Sequence, residues 1–126
     1  MKKFAFIFAA LSFASSAQAS SCVSSDIIGS WVMYQANLTA RHTGRCAITV
    51  SESADRAFVG NCKFGTNSID VQGTATVYSR CNVGVKMNFT GGSMYFEVQL
   101  ASDKQAFVGS WKNTFGDVGT TSAVKQ

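Results

Sequence analysis

Residues 82–100 read NVGVKMNFTGGSMYFEVQL, and this stretch decides the fold class. Apolar and polar residues alternate on both sides of Gly91-Gly92, which is typical of strands with one buried face. A pair of glycines suits a two-residue hairpin turn with positive φ at both positions. This turn sets Lys86 opposite Glu97 on the outer face. The apolar pairs of the inner face are then Phe89–Met94, Met87–Phe96, Val85–Val98 and Val83–Leu100. The stretch therefore predicts an antiparallel hairpin with one apolar face.

The rest of the chain repeats this pattern of short alternating runs separated by turn residues, and it contains no proline. Eight runs are predicted as strands: Ser30–Leu38, Arg45–Ser51, Ala57–Phe64, Ser68–Ser79, Asn82–Thr90, Met94–Leu100, Ala106–Asn113 and Val118–Lys125. Consecutive antiparallel strands leave two unpaired edges unless the sheet closes. We therefore expect an all-β, eight-stranded antiparallel up-and-down barrel, with a two-sheet β-sandwich as the alternative.

One face of these strands supplies a bulky interior. Its predicted members are Phe58, Phe64, Ile69, Val71, Val77, Val85, Met87, Phe89, Phe96, Val98, Leu100, Phe107 and Trp111. Smaller inward residues relieve this bulk: Gly60, Gly73, Ala75 and Gly109. Because the strands are short and the inward residues large, we expect a filled core.

The four cysteines predict two disulfides. A turn centred on Ala54 sets Cys46 opposite Cys62, within reach of a cross-strand bridge. Cys22–Cys81 follows by elimination. The cysteines form no closely spaced pair of the kind that binds a metal, so no metal site is expected.

The first residues have the features of an export signal. Lys2-Lys3 precede an apolar run, Phe4 to Phe13, that is too short to span a bilayer, and Ala17-Gln18-Ala19 is a small-x-small cleavage pattern. We expect a signal peptide over residues 1–19 and one barrel domain over residues 20–126. Lipidation of Cys22 is the less favoured alternative, because Ala19 stands where a lipoprotein signal normally has leucine. The predicted location is periplasmic or secreted, as even cysteine counts in exported domains suggest.

The mature chain carries little net charge. Without Lys2 and Lys3, nine basic and seven acidic residues remain, a net charge of +2. This balance gives no electrostatic footprint for nucleic acid. No second hydrophobic stretch predicts a transmembrane anchor, and we expect a monomer.

The titratable residues do not form a recognisable catalytic set. His42, the one histidine, lies in residues 39–45, which we interpret as a loop between the first two strands. Nucleophilic catalysis needs a nucleophile, a base and an orienting group together. The cysteines are assigned to disulfides, and the seven carboxylates fall at separate turns or outward positions. We therefore expect a binding protein without a cofactor, and not an enzyme.

A short basic cluster and a Gly-x-Trp motif are the remaining features. Arg41, His42 and Arg45 form either a solvated loop or a contact for an acidic partner. Gly29-Ser30-Trp31 opens the first strand, where the Trp would plug one end of the barrel. Trp111 is the second candidate for supporting the barrel.

Two resemblances rest on these residues. The Gly29-x-Trp31 motif in strand one is similar to that of calycin barrels such as lipocalins, in which a basic residue of the last strand, here Lys125, covers the Trp. More narrowly, Ser20-Ser21, Ile28-Gly29-Ser30-Trp31, Gly44-Arg45-Cys46-Ala47-Ile48 and Cys62 resemble the periplasmic inhibitors of serralysin-type zinc metalloproteases. That resemblance covers residues 20–64.

The inhibitor resemblance implies a mechanism. Such inhibitors insert an extended N-terminal segment into the protease cleft, so Ser20 and Ser21 would contact the protease, with Arg41 and Arg45 beside them. Cys22 and Cys81 depart from the family pattern, because a bridge at Cys22 would tether that segment. The alternatives are a calycin-type carrier of a small apolar ligand and a structural envelope protein. A cavity above ~300 Å³ would favour the carrier.

Overall fold

The computed structural model describes residues 21–126 as one closed barrel of eight antiparallel strands in sequential order. The strands are β1 (Gly29–Asn37), β2 (His42–Val50), β3 (Phe58–Phe64), β4 (Asn67–Val77), β5 (Asn82–Phe89), β6 (Gly92–Leu100), β7 (Ala106–Asn113) and β8 (Val118–Lys125). Two short 3₁₀ helices, η1 (Ser24–Ile27) and η2 (Ser79–Cys81), precede β1 and β5. The predicted barrel is confirmed, and the sandwich alternative is wrong. The predicted signal peptide and Ser20 lie outside the described residues.

The strand boundaries agree with expectation to within about two residues, except at the start of β2. This strand begins at His42, and Thr43 and Arg45 pair with Ala36 and Tyr34 of β1. The predicted loop over residues 39–45 is therefore wrong, because only residues 38–41 connect the two strands. The small polar residues that indicated a loop are accommodated on the outward face and at the end of the strand.

The hairpin of β5 and β6 forms with a register two residues away from the predicted one. Phe89 pairs with Gly92, Met87 with Met94, and Lys86 with Tyr95 instead of Glu97. The turn residues are Thr90 and Gly91, of which Gly91 alone has positive φ, at +92°. An even shift leaves every side chain on its predicted face, so alternation could not distinguish the two registers.

Gly92 therefore serves close packing and not the turn. A Cβ atom there would lie 2.8 Å from Thr114 Oγ1 and 3.0 Å from Phe115 Cζ. The chain between β7 and β8 thus approaches β6 closely at this point, which only glycine permits without rearrangement.

Both disulfides are confirmed. Cys46 and Cys62 are directly opposed on β2 and β3, as predicted, with Cα atoms 4.0 Å apart. Cys22 is bonded to Cys81, with a Cα separation of 4.9 Å, so the segment before β1 is tied to the connection between β4 and β5. Disulfides are typical of proteins outside the cytoplasm. Within residues 21–126, no helix is long and apolar enough to cross a bilayer.

The two ends of the barrel are built differently. We define the closed end as the end formed by residues 21–28 and the connections 51–57, 78–81 and 101–105. There η1 lies across the strand ends, and Trp31 donates its indole N–H to the Ile27 carbonyl at 2.9 Å. Lys125 donates to the Asp26 carbonyl at 2.9 Å, and its Nζ lies 5.6 Å from the centre of the Trp31 ring. The open end comprises the connections 38–41, 65–66, 90–91 and 114–117.

The predicted interior residues all lie in the core or pack against it. Eight are buried: Phe58, Val71, Met87, Phe96, Val98, Leu100, Phe107 and Trp111. The other five are partly buried against them: Phe64, Ile69, Val77, Val85 and Phe89. In the closed half these side chains leave a void of only about 30 Å³, so the expected filled core describes that half. The open half holds a larger cavity.

Candidate functional site

The open end contains an apolar pocket, open to solvent at its mouth, that is better suited to hold a ligand than the other spaces in the described residues. It is a cavity of about 260 Å³ lined by inward residues from the open halves of the strands and by the connection between β7 and β8. An engineered apolar cavity of about 150 Å³ takes up one benzene ring, so this volume has room for a molecule of about two fused rings. It lies just below the ~300 Å³ at which ligand pockets usually begin.

The wall of the cavity is mostly aromatic and aliphatic. Its apolar side chains are Phe64, Ile69, Phe89, Met94, Trp111 and Phe115. Phe115 is 64 % exposed, and its ring centre lies 6.1 Å from that of Phe89. An exposed aromatic ring at the mouth of an apolar cavity offers a surface on which a bound molecule could pack.

The position of Trp111 is fixed from two sides. Its indole N–H donates to the Thr120 carbonyl at 3.1 Å, and its ring packs over Gly119, where a Cβ atom would collide with it. The cavity floor is formed by Val71, Met87 and Cys62, which carries the Cys46–Cys62 bridge. Both the wall and the floor are therefore held by strand pairing and a covalent bond, as a preformed ligand site requires.

Polar side chains surround the mouth, and the most buried of them is Asn37. Its Oδ1 accepts the backbone N–H groups of Thr39 and Ala40, which stabilises the tight connection after β1. Its Nδ2 donates to Asp117 Oδ2 at 3.0 Å, which joins the end of β1 to the residue before β8, its paired neighbour. Asn37 thereby fixes the position of a carboxylate that lines the cavity.

Asp117 is also held through its backbone. Its N–H donates to Asn113 Oδ1 at 2.9 Å, and its carbonyl accepts the Asn113 N–H at 3.0 Å. Within residues 21–126 the structure gives its carboxylate no ion-pair partner. A half-buried carboxylate that accepts one side-chain hydrogen bond from a neutral amide group can still accept further hydrogen bonds from a ligand.

His42 and Asn67 complete the polar mouth. The His42 ring lies edge-on to Phe64, with ring centres 5.8 Å apart. No group of three or more His, Cys, Asp or Glu residues that could hold a metal ion occurs in the described part of the chain.

One buried polar atom is unsatisfied. Gln35 is 3 % exposed and occupies the inward position before Asn37; its Nε2 donates to Cys46 Sγ at 3.1 Å. Its Oε1 has no hydrogen-bond partner among residues 21–126. Because buried polar atoms are nearly always paired, this oxygen is an acceptor suited to a buried water molecule.

A groove on the outer wall is larger than the cavity. It has a volume of about 1050 Å³ and runs across the outward faces of β4 to β7, where Gly84 leaves a depression beside Tyr78. It lies along the outer surface of these strands, beside outward side chains such as Thr74, Lys86 and Tyr95, and it is open to solvent. The cavity has the more apolar lining of the two, which suits a small apolar molecule better.

The residues predicted to contact a protease lie at separate places. Ser21 is exposed at the closed end, next to Cys22, whereas Arg41 is exposed in the connection 38–41 at the open end. The nine residues of β1, at about 3.3 Å each, run between these ends. Arg45 projects outward from β2, opposite Tyr34 and Lys63. The structure thus does not bring Ser21 and Arg41 onto one surface.

The predicted barrel-supporting residues divide between the ends. Gly29 has a φ of +126°, and a Cβ atom there would lie 3.3 Å from Lys125 Cε. Trp31 lies in the closed end with Phe107, their ring centres 5.2 Å apart, and Trp111 lines the open-end cavity.

Sequence reasoning missed Asn37, Asn113 and Asp117 as a polar set at one mouth. A signal was present for Asn37, which follows Trp31, Met33 and Gln35 at every second position of β1 and so had to point inward. Asp117 gave no such signal, because its place at the mouth depends on barrel closure between β1 and β8.

Comparison with known proteins identifies the fold alone. No protein-family model matches the chain, and no curated protein matches it. Solved structures that resemble it are designed barrels. The redesigned β-barrel b11L5F_LGL has a TM-score of 0.72 at 14% identity, over 81% of this chain and 93% of that one. A de novo designed fluorescence-activating β-barrel has a TM-score of 0.69 at 12% identity, over 81% of this chain and 95% of that one. The redesigned barrel mFAP1, bound to DFHBI, has a TM-score of 0.69 at 14% identity, over 81% of this chain and 96% of that one.

Proposed function

We propose that this protein is an exported binding protein that holds a small, largely apolar, ring-containing molecule in the open-end cavity. The observation that carries the proposal is the aromatic lining of this cavity, in a barrel whose other half is filled. Its volume of about 260 Å³ is below the ~300 Å³ that would favour a carrier by size alone, so the proposal rests on the lining. The designed neighbour mFAP1 is bound to DFHBI, and we extend the role of a ligand-holding barrel to this chain. Binding, and not catalysis, is the proposed role.

The division of the interior supports this reading. A protein that needed only stability would gain by filling both halves, since each buried CH₂ contributes about 0.8 kcal/mol. Here the closed half is filled around Trp31 and Phe107, whereas the open half keeps space beside Phe89 and Trp111. Preformed apolar space with a few convergent polar groups is the usual form of a small-molecule site.

The two tryptophans provide the test. Each indole N–H donates to a backbone carbonyl, Trp31 at the closed end and Trp111 in the cavity. Naphthalene and indole are titrated into ¹⁵N-labelled protein, and the two indole N–H signals are followed by NMR. We expect the Trp111 signal to shift with saturation and the Trp31 signal to stay. Movement of neither signal up to the solubility limit of both probes would contradict the proposal.

A matched pair of variants locates the binding. Ile69→Phe adds a ring to the cavity wall and should weaken naphthalene binding by roughly tenfold, because it occupies the space. Val59→Phe makes a similar change at an outward position of β3 that is 64 % exposed, and it should leave binding unchanged. Equal effects of the two substitutions would place the ligand elsewhere.

A second candidate function is inhibition of a secreted serralysin-type zinc metalloprotease. The observation that favours it is the exposed Ser21 next to Cys22, whose bond to Cys81 would preorganise an N-terminal segment for a cleft. The test titrates the mature chain against such a protease, beside a chain that begins at Cys22 and so keeps the disulfide. Inhibition by the first chain only would support this function, and inhibition by neither would remove it.

A further inference from the structure

The chemistry at the cavity mouth allows the ligand class to be narrowed, and this step rests on the proposed function. Asp117 lines the cavity, is half-buried, and has a carboxylate held at 3.0 Å from Asn37 Nδ2. Its backbone is pinned to Asn113 by two hydrogen bonds. The carboxylate is therefore held in position at the cavity mouth, and fixed polar groups are what confer specificity on a small-molecule site.

The charge of this carboxylate is not balanced by a neighbouring cation. The ion pair that the structure contains within residues 21–126 joins Lys104 to Asp26 at the closed end. Arg41 is exposed in the neighbouring connection but does not line the cavity. A partly desolvated carboxylate that accepts one hydrogen bond from a neutral group is stabilised most by a cation that donates further N–H hydrogen bonds to it.

The other polar groups at the mouth help to define the charge that the polar end of a ligand should carry. Asn37 Oδ1 and Asn113 Oδ1 are both occupied by backbone N–H groups, so their oxygens are not free acceptors. His42 is the other titratable side chain that lines the cavity, and its ring packs against Phe64. Asp117 is thus the acidic group that a ligand's polar end would meet.

We propose that the ligand of the open-end cavity is a ring-bearing amine, whose ring packs among Phe64, Phe89 and Trp111 and whose ammonium group binds the Asp117 carboxylate. The volume of about 260 Å³ fits a bicyclic ring, and the amine then lies at the mouth, where part of its charge stays hydrated. A carboxylate on the same ring system would meet Asp117 with like charge and bind more weakly.

Three probes that share one ring system test this inference. Tryptamine carries an ammonium group, 3-ethylindole is neutral, and indole-3-propionate carries a carboxylate. Each is titrated into ¹⁵N-labelled protein, with the Trp111 indole N–H as the readout and that of Trp31 as the internal reference. We expect tryptamine to bind roughly tenfold more tightly than 3-ethylindole, and indole-3-propionate more weakly than both.

The chain offers a closely matched control for the carboxylate. Asp117 accepts from Asn37 Nδ2 at 3.0 Å, and Asp70 on the outer face accepts from Asn61 Nδ2 at 3.1 Å. Asp117→Asn should bring tryptamine and 3-ethylindole within about twofold of each other, whereas Asp70→Asn should keep the tenfold ratio. Thermal unfolding of both variants checks that the barrel remains folded.

The outcomes separate this inference from the function beneath it. Equal binding of all three probes, or tightest binding of indole-3-propionate, would overturn the amine assignment and leave the ring-binding cavity standing. Tryptamine selectivity that survives Asp117→Asn would also overturn it. Failure of all three probes to shift the Trp111 signal would overturn both.

Discussion

The closed and open ends of the barrel use similar residues for different purposes. At the closed end, Trp31 is covered by η1, its N–H is paired with Ile27, and Lys125 lies over its ring. At the open end, Trp111 is paired with Thr120 but faces a cavity of about 260 Å³. Both tryptophans are almost fully buried, so burial alone does not distinguish them. What lies on the other side of the ring, a capping segment or a cavity, separates a structural tryptophan from one that can contact a ligand.

The segment that closes one end is anchored from several sides. Cys22 is bonded to Cys81, and Arg56 donates to both the carbonyl and the hydroxyl of Ser24. No comparable segment crosses the open end in the described residues. The difference indicates that stability is concentrated at the closed end and that the open end can tolerate space for a ligand.

The largest expected effect is loss of the disulfide at the closed end. Cys22→Ala with Cys81→Ala should lower the free energy of unfolding by about 4 kcal/mol in the chain-entropy model, because the bridge spans 59 positions. Cys46→Ala with Cys62→Ala, across 16 positions at the cavity floor, should cost about 3 kcal/mol. Urea denaturation of both double variants measures the two losses in free energy of unfolding. A smaller loss for the Cys22–Cys81 pair would contradict the view that stability is concentrated at the closed end.

A pair of phenylalanines compares the packing of the two ends. Phe107→Ala should cost about 3 kcal/mol, because its ring packs against Trp31 in the filled half. Phe89→Ala should cost about 1 kcal/mol, because that side chain is half-buried beside space that is already present. Thermal and urea unfolding give both values. Equal losses would mean that the open end is packed as firmly as the closed one.

The turn at the open end should be sensitive to backbone conformation alone. Gly91 has a φ of +92°, and a Cβ atom there would meet nothing within 4 Å. Gly91→Val should therefore cost about 1–2 kcal/mol from the unfavourable φ, with no clash of its Cβ atom against the rest of the protein. Gly91→Asn serves as the control and should cost less, since Asn tolerates positive φ. An unchanged melting temperature for Gly91→Val would contradict the observed turn.

The smallest expected effect is a pH dependence at the closed end. The Val23 backbone N–H, at 2.7 Å, is the main cause that holds the pKa of Asp26 below its usual value. The Lys104 ammonium group acts in the same direction, and burial opposes the lowering. A carboxyl group with a lowered pKa stabilises the folded state above its usual pKa of about 3.9 and loses that contribution as the pH falls through the lowered value.

Asp26→Asn should accordingly lower stability at pH 6 by less than about 1 kcal/mol, since the pair with Lys104 is partly exposed. At pH 2 the variant and the parent should unfold alike. Denaturation curves at the two pH values make the comparison. A difference that persists at pH 2 would show that Asp26 acts through its shape or hydrogen bonding and not through its charge.

Alternation and turn residues were sufficient to predict the strands and the barrel, but not every register. The β2–β3 pairing was predicted correctly because a turn centred on Ala54 aligned the apolar faces and also set Cys46 opposite Cys62, which supported that register. The β5–β6 pairing had no such constraint, and two registers with identical faces competed. The outcome depended on β7 and β8, whose connection packs against Gly92 and whose Thr114 hydrogen-bonds Ser93.

The cavity could not be predicted for a similar reason. The residues predicted to point inward all lie in the core or pack against it, yet their volumes alone suggested a filled interior. Whether large side chains fill a barrel depends on how they divide between its two halves and on which end is capped. The cap in turn depends on the Cys22–Cys81 bond and on the Arg56 contacts with Ser24, which join residues far apart in the chain.

The sequence by itself determined the fold class, the inward faces and both disulfides, because each depends on local periodicity or on a small number of cysteines. Tertiary structure alone decided the β5–β6 register, the cavity in the open half and the position of Asp117 at its mouth. The register depends on the packing of the β7–β8 connection against Gly92, and the cavity depends on the cap at the closed end. The contact between Asn37 and Asp117 depends on the pairing of β1 with β8, at opposite ends of the described chain. Barrel closure is a non-local event, and the energy of one strand pair carries no information about the partner that closes the ring.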